Sequence, residues 1–188
     1  MKIITDISKA SPEPKAIALG TFDGVHLGHR AVIRAACDSA RDGGLIPAVF
    51  TFSGLPRNAF CAGGSERIHP LCTFAEKARL IEELGVELMF APAFTKELYT
   101  IPAEEFISEI LIKRLGARHI VCGFDHRFGA GGAGNVELLM SVCREKGCAV
   151  TILPPVTVNG EKVSSTRIRA LLERGFVDNA RELLGHGI

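Results

Sequence analysis

A short apolar run that stops at a glycine turn and passes at once into a helix leaves a chain few folds to adopt. Residues 16–30, AIALGTFDGVHLGHR, form such a unit. Residues 16–19 are short, unbroken and apolar, as a buried parallel strand should be. Gly20 and Gly24 let the backbone turn sharply and approach a ligand closely. A helix opening near Leu27 would turn its free N–H groups and positive dipole end toward whatever sits above the strand's carboxyl end, a position suited to a phosphate. His26 and His29 are three apart and share one face of that first turn, with only the hydrogen of Gly28 between them on the ligand side. Two imidazoles so placed can grip one phosphate and stabilise the charge that develops on its oxygens during displacement. The plain alternative is a pair of polar residues decorating a helix start. The upstream strand and the glycines favour the first reading, because binding residues gather on such loops.

The rest of the chain bounds this reading. At 188 residues it fits one domain, residues 1–188, with no room for a second of ordinary size. A hydrophobic content of 47%, a charged content of 23% and a net charge of +1 describe a soluble globular chain with no electrostatic bias toward nucleic acid or a membrane. Residues 1–14 carry Lys2, Asp6, Lys9 and Glu13 and so lack the uninterrupted apolar stretch of a secretory signal, and no later stretch is long and apolar enough to span a bilayer. The expected location is the cytoplasm. Six cysteines, at 37, 61, 72, 122, 143 and 148, contain no C-x-x-C pair, so neither a zinc site nor a disulfide frame is expected.

Along the chain, the pattern alternates. A helix is expected over 27–41, with Ala31, Val32, Ala35, Ala36 and Ser39 inward and Gly43-Gly44 ending it. A strand follows over 45–52, then a long loop over 58–70 around Gly63-Gly64. Thr73 to Glu76 is a capping box that opens a helix through Leu84, stopped by Gly85. Strands over 86–91, 118–123 and 148–153 alternate with helices over 104–115 and 135–146. A hairpin around Asn159-Gly160 and two short helices, 166–174 and 177–184, complete the chain. This order argues for an α/β fold with an open, mostly parallel sheet and helices on both faces.

Two further constellations stand out. In KVSSTRIR, residues 162–169, a turn delivers Ser164, Ser165 and Thr166 to a helix start. These hydroxyls suit an N-cap, and equally suit terminal phosphate oxygens, with Lys162 and Arg169 adding charge; Arg167 should point elsewhere. In GFDHRFG, residues 123–129, the loop leaves a strand on the ligand side of the sheet. Asp125 there could accept from an adenine amino group or a sugar hydroxyl, or simply shape the turn.

The H-x-G-H string after a strand resembles the signature of the nucleotidyltransferase superfamily, and the longer GTFDGVHLGH resembles the adenylyltransferase part of bacterial FAD synthetases. The SSTRIR string and the GFDHRFG segment resemble further motifs of that family, and the likeness covers nearly the whole chain. It implies a Rossmann-like fold and transfer of AMP from ATP to the phosphate of FMN, giving FAD and pyrophosphate, with Mg²⁺ accompanying ATP. It assigns catalysis to His26 and His29, and ATP or phosphate binding to Gly20, Phe22, Asp23, Gly24, Gly28, Lys162, Ser164, Ser165, Thr166 and Arg169. Gly123, Asp125 and Phe128 become nucleotide or flavin contacts, and no residue is assigned as a metal ligand. The chain departs from the family at His126, where an aromatic is usual, and at Leu55, where the family's Pro-His-Pro-Arg string has histidine. The riboflavin kinase barrel of bifunctional members would begin where residue 188 falls, so a separate kinase is expected to supply FMN. Two rivals remain open: another adenylyl- or cytidylyltransferase of the superfamily, and a flavin- or nucleotide-binding regulator without catalysis.

Overall fold

The computed structural model describes residues 1–59 and 67–187. In chain order these form β1 (Lys2–Ile4), β2 (Lys15–Leu19), α1 (Leu27–Gly43), β3 (Ile46–Phe50), α2 (Phe74–Glu82), β4 (Leu88–Phe90), α3 (Lys96–Tyr99) and α4 (Ala103–Glu105). They continue through β5 (Ala117–Gly123), α5 (Val136–Glu145), β6 (Ala149–Leu153), β7 (Thr157–Val158), β8 (Glu161–Lys162), α6 (Ser165–Glu173) and α7 (Val177–Leu184). Part of the loop expected over 58–70, including Gly63-Gly64, and Cys61 lie outside the described residues.

Among the described residues, β1 to β6 make one sheet in the order β1-β4-β3-β2-β5-β6, with every pairing parallel. The central strands are mostly apolar because both faces are covered, whereas the edge strands β1 and β6 are more exposed. Ile17, Leu19, Ala48, Phe50, Phe90, Ile120 and Cys122 pack in one layer with Phe106, Leu111 and Leu139. Their neighbours Ala18, Val49, Met89 and Val121 pack in the opposite layer with Val32, Ile33, Ala36 and Ile81. This is the expected α/β architecture. The sheet grows outward in both directions from β2, which pairs with β3 on one side and β5 on the other. The strand order therefore reverses between β2 and β5, and a crevice forms above the carboxyl ends of those two strands.

Three local features differ from expectation. β1 is too short for its pattern to register, and it sits at the sheet edge against β4. The buried stripe of α1 is Val32, Ile33, Ala36 and Ala40, rotated from the expected one so that Ile33 faces the sheet and Ser39 does not. The helix expected over 104–115 starts as α4 but continues as a π-helix, Phe106–Arg114, with the Leu115 N–H donating to the Ile110 carbonyl five residues back. That wider winding brings Phe106, Ile107, Ile110, Leu111 and Leu115 together into the core, and such segments are frequent at functional sites.

The capping box at Thr73 and Glu76 is formed in full, and Asn159 and Gly160, at φ 54° and 78°, make the tight turn of the β7–β8 hairpin. The turn before β5 is equally demanding. Gly116 has φ 73°, and a Cβ there would lie 2.3 Å from the Glu13 carbonyl oxygen and 2.5 Å from that of Pro12. We expect Gly116→Ala to lower the unfolding free energy by about 3 kcal/mol, from the left-handed conformation and the backbone clash together. Urea denaturation checks this, and a loss within experimental scatter would mean that residues 12–13 simply move aside.

Candidate active site

A cavity of about 540 Å³ opens above β2 and β5 at the point where the strand order reverses. Gly20, Phe22, His26, Gly28, His29, Gly123, Asp125, Phe128, Lys162, Ser164, Ser165 and Thr166 all line it. The residues singled out in three separate stretches of sequence thus meet in one place. Asp23, Gly24 and Arg169 do not line this cavity.

The turn from β2 to α1 is unusual in its backbone. Phe22, Gly24 and Val25 have φ values of 49°, 78° and 40°. Two of the three are not glycine, and one is β-branched, so the conformation persists only because its surroundings hold it. Phe22 and Val25 are fully buried. Asp23, also buried, accepts from the Leu71 N–H at 2.9 Å and pairs with the Arg169 guanidinium, while its carbonyl accepts from the Ser165 hydroxyl at 3.1 Å. The Gly24 carbonyl is 2.8 Å from His186 Nε2, and its N–H lies 3.3 Å from Cys72 Sγ. A Cβ on Gly24 would meet Leu71 at 2.9 Å. The turn is therefore clamped by residues 69–72, by α6 and by the segment after α7.

Asp23 and Arg169, both expected among the ATP or phosphate contacts, are placed by the structure in this clamp. Arg169 shares a helical face with Thr166, but that face looks onto the turn, where its Nε donates to the His69 carbonyl at 3.0 Å and its terminal nitrogen meets Asp23. Burial pushes the Asp23 carboxyl above its ordinary pKa; the Leu71 N–H and then the Arg169 charge pull it back. Asp23 is thus committed to the fold, and Arg169 is its counter-charge. Arg167 points away, as expected, pairing with Glu161 at 2.5 Å on the hairpin. Leu55 lines a second, neighbouring cavity rather than the first.

His26 is the N-cap of α1: its Nδ1 accepts from the His29 N–H at 3.3 Å, so its proton resides on Nε2. The His29 ring stacks on it at 3.5 Å between centroids, tilted 14°. A Cβ on Gly28 would stand 3.2 Å from the His26 ring, closer than an ordinary contact, so glycine leaves the two imidazoles room at this position. The Nδ1 of His29 is buried and has no partner. Burial pushes His26 down to about 4, with the Lys162 charge adding to it, and pushes His29 well below its ordinary value. Both rings rest neutral. An arriving phosphate would supply the negative charge that favours their protonated forms.

On the same cavity, Ser164 caps α6 by accepting from the Arg167 N–H at 3.2 Å. The first N–H groups of α6, on Ser165 and Thr166, precede any intrahelical partner and face the same space. Lys162 lies 4.5 Å from the centre of the Phe124 ring and 2.5 Å from Asp125 Oδ2.

Lys77 was not legible as a site residue. It is buried, and its Nζ donates to the Phe52 carbonyl at 2.7 Å and lies 3.4 Å from both the Thr21 carbonyl and Thr51 Oγ1. It ties together the loops that leave β2 and β3. The available signal was a lysine set among Ala78, Leu80 and Ile81, the apolar side of α2.

Two outcomes follow from these contacts. His26, His29 and His126 all have depressed values, so the stability they contribute is present above their unfolded value of 6.5 and is lost as pH falls toward about 4. We expect the unfolding free energy to drop between pH 7 and pH 4, by about 3 kcal/mol from His26 alone, and His26→Gln to flatten the profile. A pH-independent melting temperature over that window would contradict it. Arg169→Ala should cost about 3 kcal/mol by leaving a buried carboxylate unpaired. Because the Asp23 value is raised, that deficit should shrink as pH falls toward the ordinary aspartate value of 3.8, which parallel denaturation series would detect.

The FAD synthetase family model matches residues 8–167. A bifunctional riboflavin kinase/FMN adenylyltransferase from Listeria monocytogenes is 35% identical over 172 residues, covering 92% of this chain and 54% of that protein. The Escherichia coli K12 protein of the same description is 32% identical and covers 99% and 60%. An FAD synthetase, also from Listeria monocytogenes, is 33% identical and covers 90% and 68%. The chain thus spans somewhat more than half the length of the bifunctional relatives. A crystal structure described as a macrolide-efflux protein from Streptococcus pneumoniae superposes with a TM-score of 0.84 at 33% identity, over 97% of this chain and 60% of that one. Among the described residues no helix is long and apolar enough to cross a membrane. A pantoate-β-alanine ligase from Francisella tularensis, with a TM-score of 0.60 at 13% identity over 100% of this chain and 80% of that one, shares the fold. With most of its length inside the family match and with relatives above 30% identity, this chain belongs to the FAD synthetase family.

Proposed function

We propose that residues 1–188 form one nucleotidyltransferase domain that adenylylates FMN: an FMN phosphate oxygen attacks the α-phosphorus of ATP, a new P–O bond forms, and pyrophosphate leaves. The observation that carries this reading is the meeting of His26, Gly28 and His29 with the α6 N-terminus in one cavity at the strand-order reversal. Two phosphate-binding devices in one cavity suit a reaction between two phosphorylated molecules. His26 Nε2 and the unpartnered His29 ring would stabilise the charge on the α-phosphate oxygens, in a pocket whose burial strengthens each such contact. The Ser165 and Thr166 N–H groups, the Thr166 hydroxyl and Lys162, whose ammonium has donors to spare beyond its pairing with Asp125, would hold the β- and γ-phosphates.

The nearby carboxylates do not suit a protein-held Mg²⁺. Asp23 is bound to Leu71 and Arg169, and Asp125 to Lys162. We therefore write Mg²⁺ as part of the MgATP substrate. FMN would come from a riboflavin kinase site outside these elements.

The decisive test is pyrophosphate release with ATP, Mg²⁺ and a panel of acceptors: FMN, riboflavin, nicotinamide mononucleotide and phosphopantetheine. Release with FMN and none with riboflavin is expected, since riboflavin ends in a hydroxyl rather than a phosphate. Preference for another acceptor would assign the chain a different nucleotidyl transfer, and ATP binding without turnover would make it a regulator. His29→Ala should reduce kcat about 100-fold while changing the ATP Kd little, because the contact strengthens only in the transition state. A parallel loss in Kd would make His29 a ground-state ligand instead.

A further inference from the structure

One stretch of the cavity lining is aromatic. Phe52 packs edge-on against Phe94 at 4.9 Å, Phe50 against Phe106 at 5.5 Å, and Phe106 against Phe128 at 5.9 Å. His126 completes the arc, its ring stacked on that of Phe128 at 5.8 Å and 22°. Its backbone N–H donates to the Gly123 carbonyl at 3.1 Å, which together with Phe128 fixes where the imidazole stands. Phe50, Phe52, Phe94, Phe106, His126 and Phe128 all line the cavity.

His126 differs from its neighbours in carrying two nitrogens. Neither hydrogen-bonds to another described residue, and the adjacent carboxylate of Asp125 is taken by Lys162. Burial also keeps the ring neutral, pushing it down to about 4, so it offers one donor and one acceptor rather than a charge. The residue is half-buried and its nitrogens still reach solvent, so a ligand with matching heteroatoms could meet the ring and its polar atoms together. On the other flank, Lys162 covers Phe124, and the Phe124 N–H binds the Leu153 carbonyl at 3.0 Å. That flank adjoins the α6 end assigned to the triphosphate and suits adenine. The aromatic arc is left for the acceptor.

We propose that His126 is a specificity-determining residue that hydrogen-bonds the heteroatom edge of the isoalloxazine ring of FMN, seated in the aromatic arc with Phe128 behind the imidazole. The proposal rests on the FMN adenylyltransferase reading above. The isoalloxazine presents carbonyl oxygens, an N–H and ring nitrogens along one side of a flat surface. One imidazole nitrogen meeting that edge would distinguish flavin from a purely apolar ring of the same size.

The test uses the full chain unaltered, as His126→Phe and as His126→Gln, with thermal melting to confirm that each variant is folded. FMN affinity is read from quenching of flavin fluorescence, ATP affinity by calorimetry, and turnover by pyrophosphate release. N3-methyl-FMN serves as a probe of the ring edge. His126→Phe should weaken FMN binding about fivefold with ATP affinity unchanged, and should bind FMN and N3-methyl-FMN more nearly alike than the unaltered chain does. His126→Gln, which keeps a donor and an acceptor, should recover part of the loss. Equal FMN affinity in all three proteins overturns the proposal, as does a loss confined to ATP, which would assign His126 to adenine. An unaltered chain that releases no pyrophosphate with FMN overturns the underlying reading instead.

Discussion

The site depends on a backbone that would not hold its shape alone. Between β2 and α1 the chain passes through positive φ at Phe22, Gly24 and Val25, and only there does it turn tightly enough to place His26 as the cap of α1. Asp23 at the centre of this turn is buried, and a buried carboxylate needs partners. Leu71 and Arg169 supply them from segments 48 and 146 residues away in sequence. The histidines are thus positioned by an ion pair that does not itself face the cavity.

Behind the turn stands a second buried charge. Lys77 joins the loops leaving β2 and β3, and Asp23 and Cys72 moderate the fall in its pKa that burial causes. Its positive charge also contributes to the depression of His29. The cavity therefore combines neutral imidazoles at rest with a positive field from behind the strands, a combination that favours entry of an anion and resists protonation before it arrives.

Much of this was legible in the sequence for a simple reason. Strands covered on both faces read as unbroken apolar runs, and the helices between them are closed by ordinary caps and glycines, so the alternation and the parallel sheet followed directly. β1 escaped because three residues at a sheet edge carry no period. The π-helix escaped because an amphipathic stretch does not disclose its winding. At the site, local spacing was reliable for His26, Gly28 and His29, which lie on one short piece of chain. For Arg169 the same arithmetic identified the correct helical face but not what stands opposite it, since that is decided by a residue near the other end of the sequence. Lys77 shows the complementary failure: its role comes from two strand ends, neither of which lies near it in sequence.

The pairing of Asp23 with Arg169 also has a meaning for how the protein is made. During synthesis β2, α1 and β3 leave the ribosome long before α6 does, and through that interval the first turn has its aspartate but not its counter-charge. The two histidines acquire their final geometry only when the last part of the chain closes onto the first. A nascent or truncated chain can therefore have most of its sheet and still lack the final arrangement of His26 and His29, which forms as a late event of synthesis.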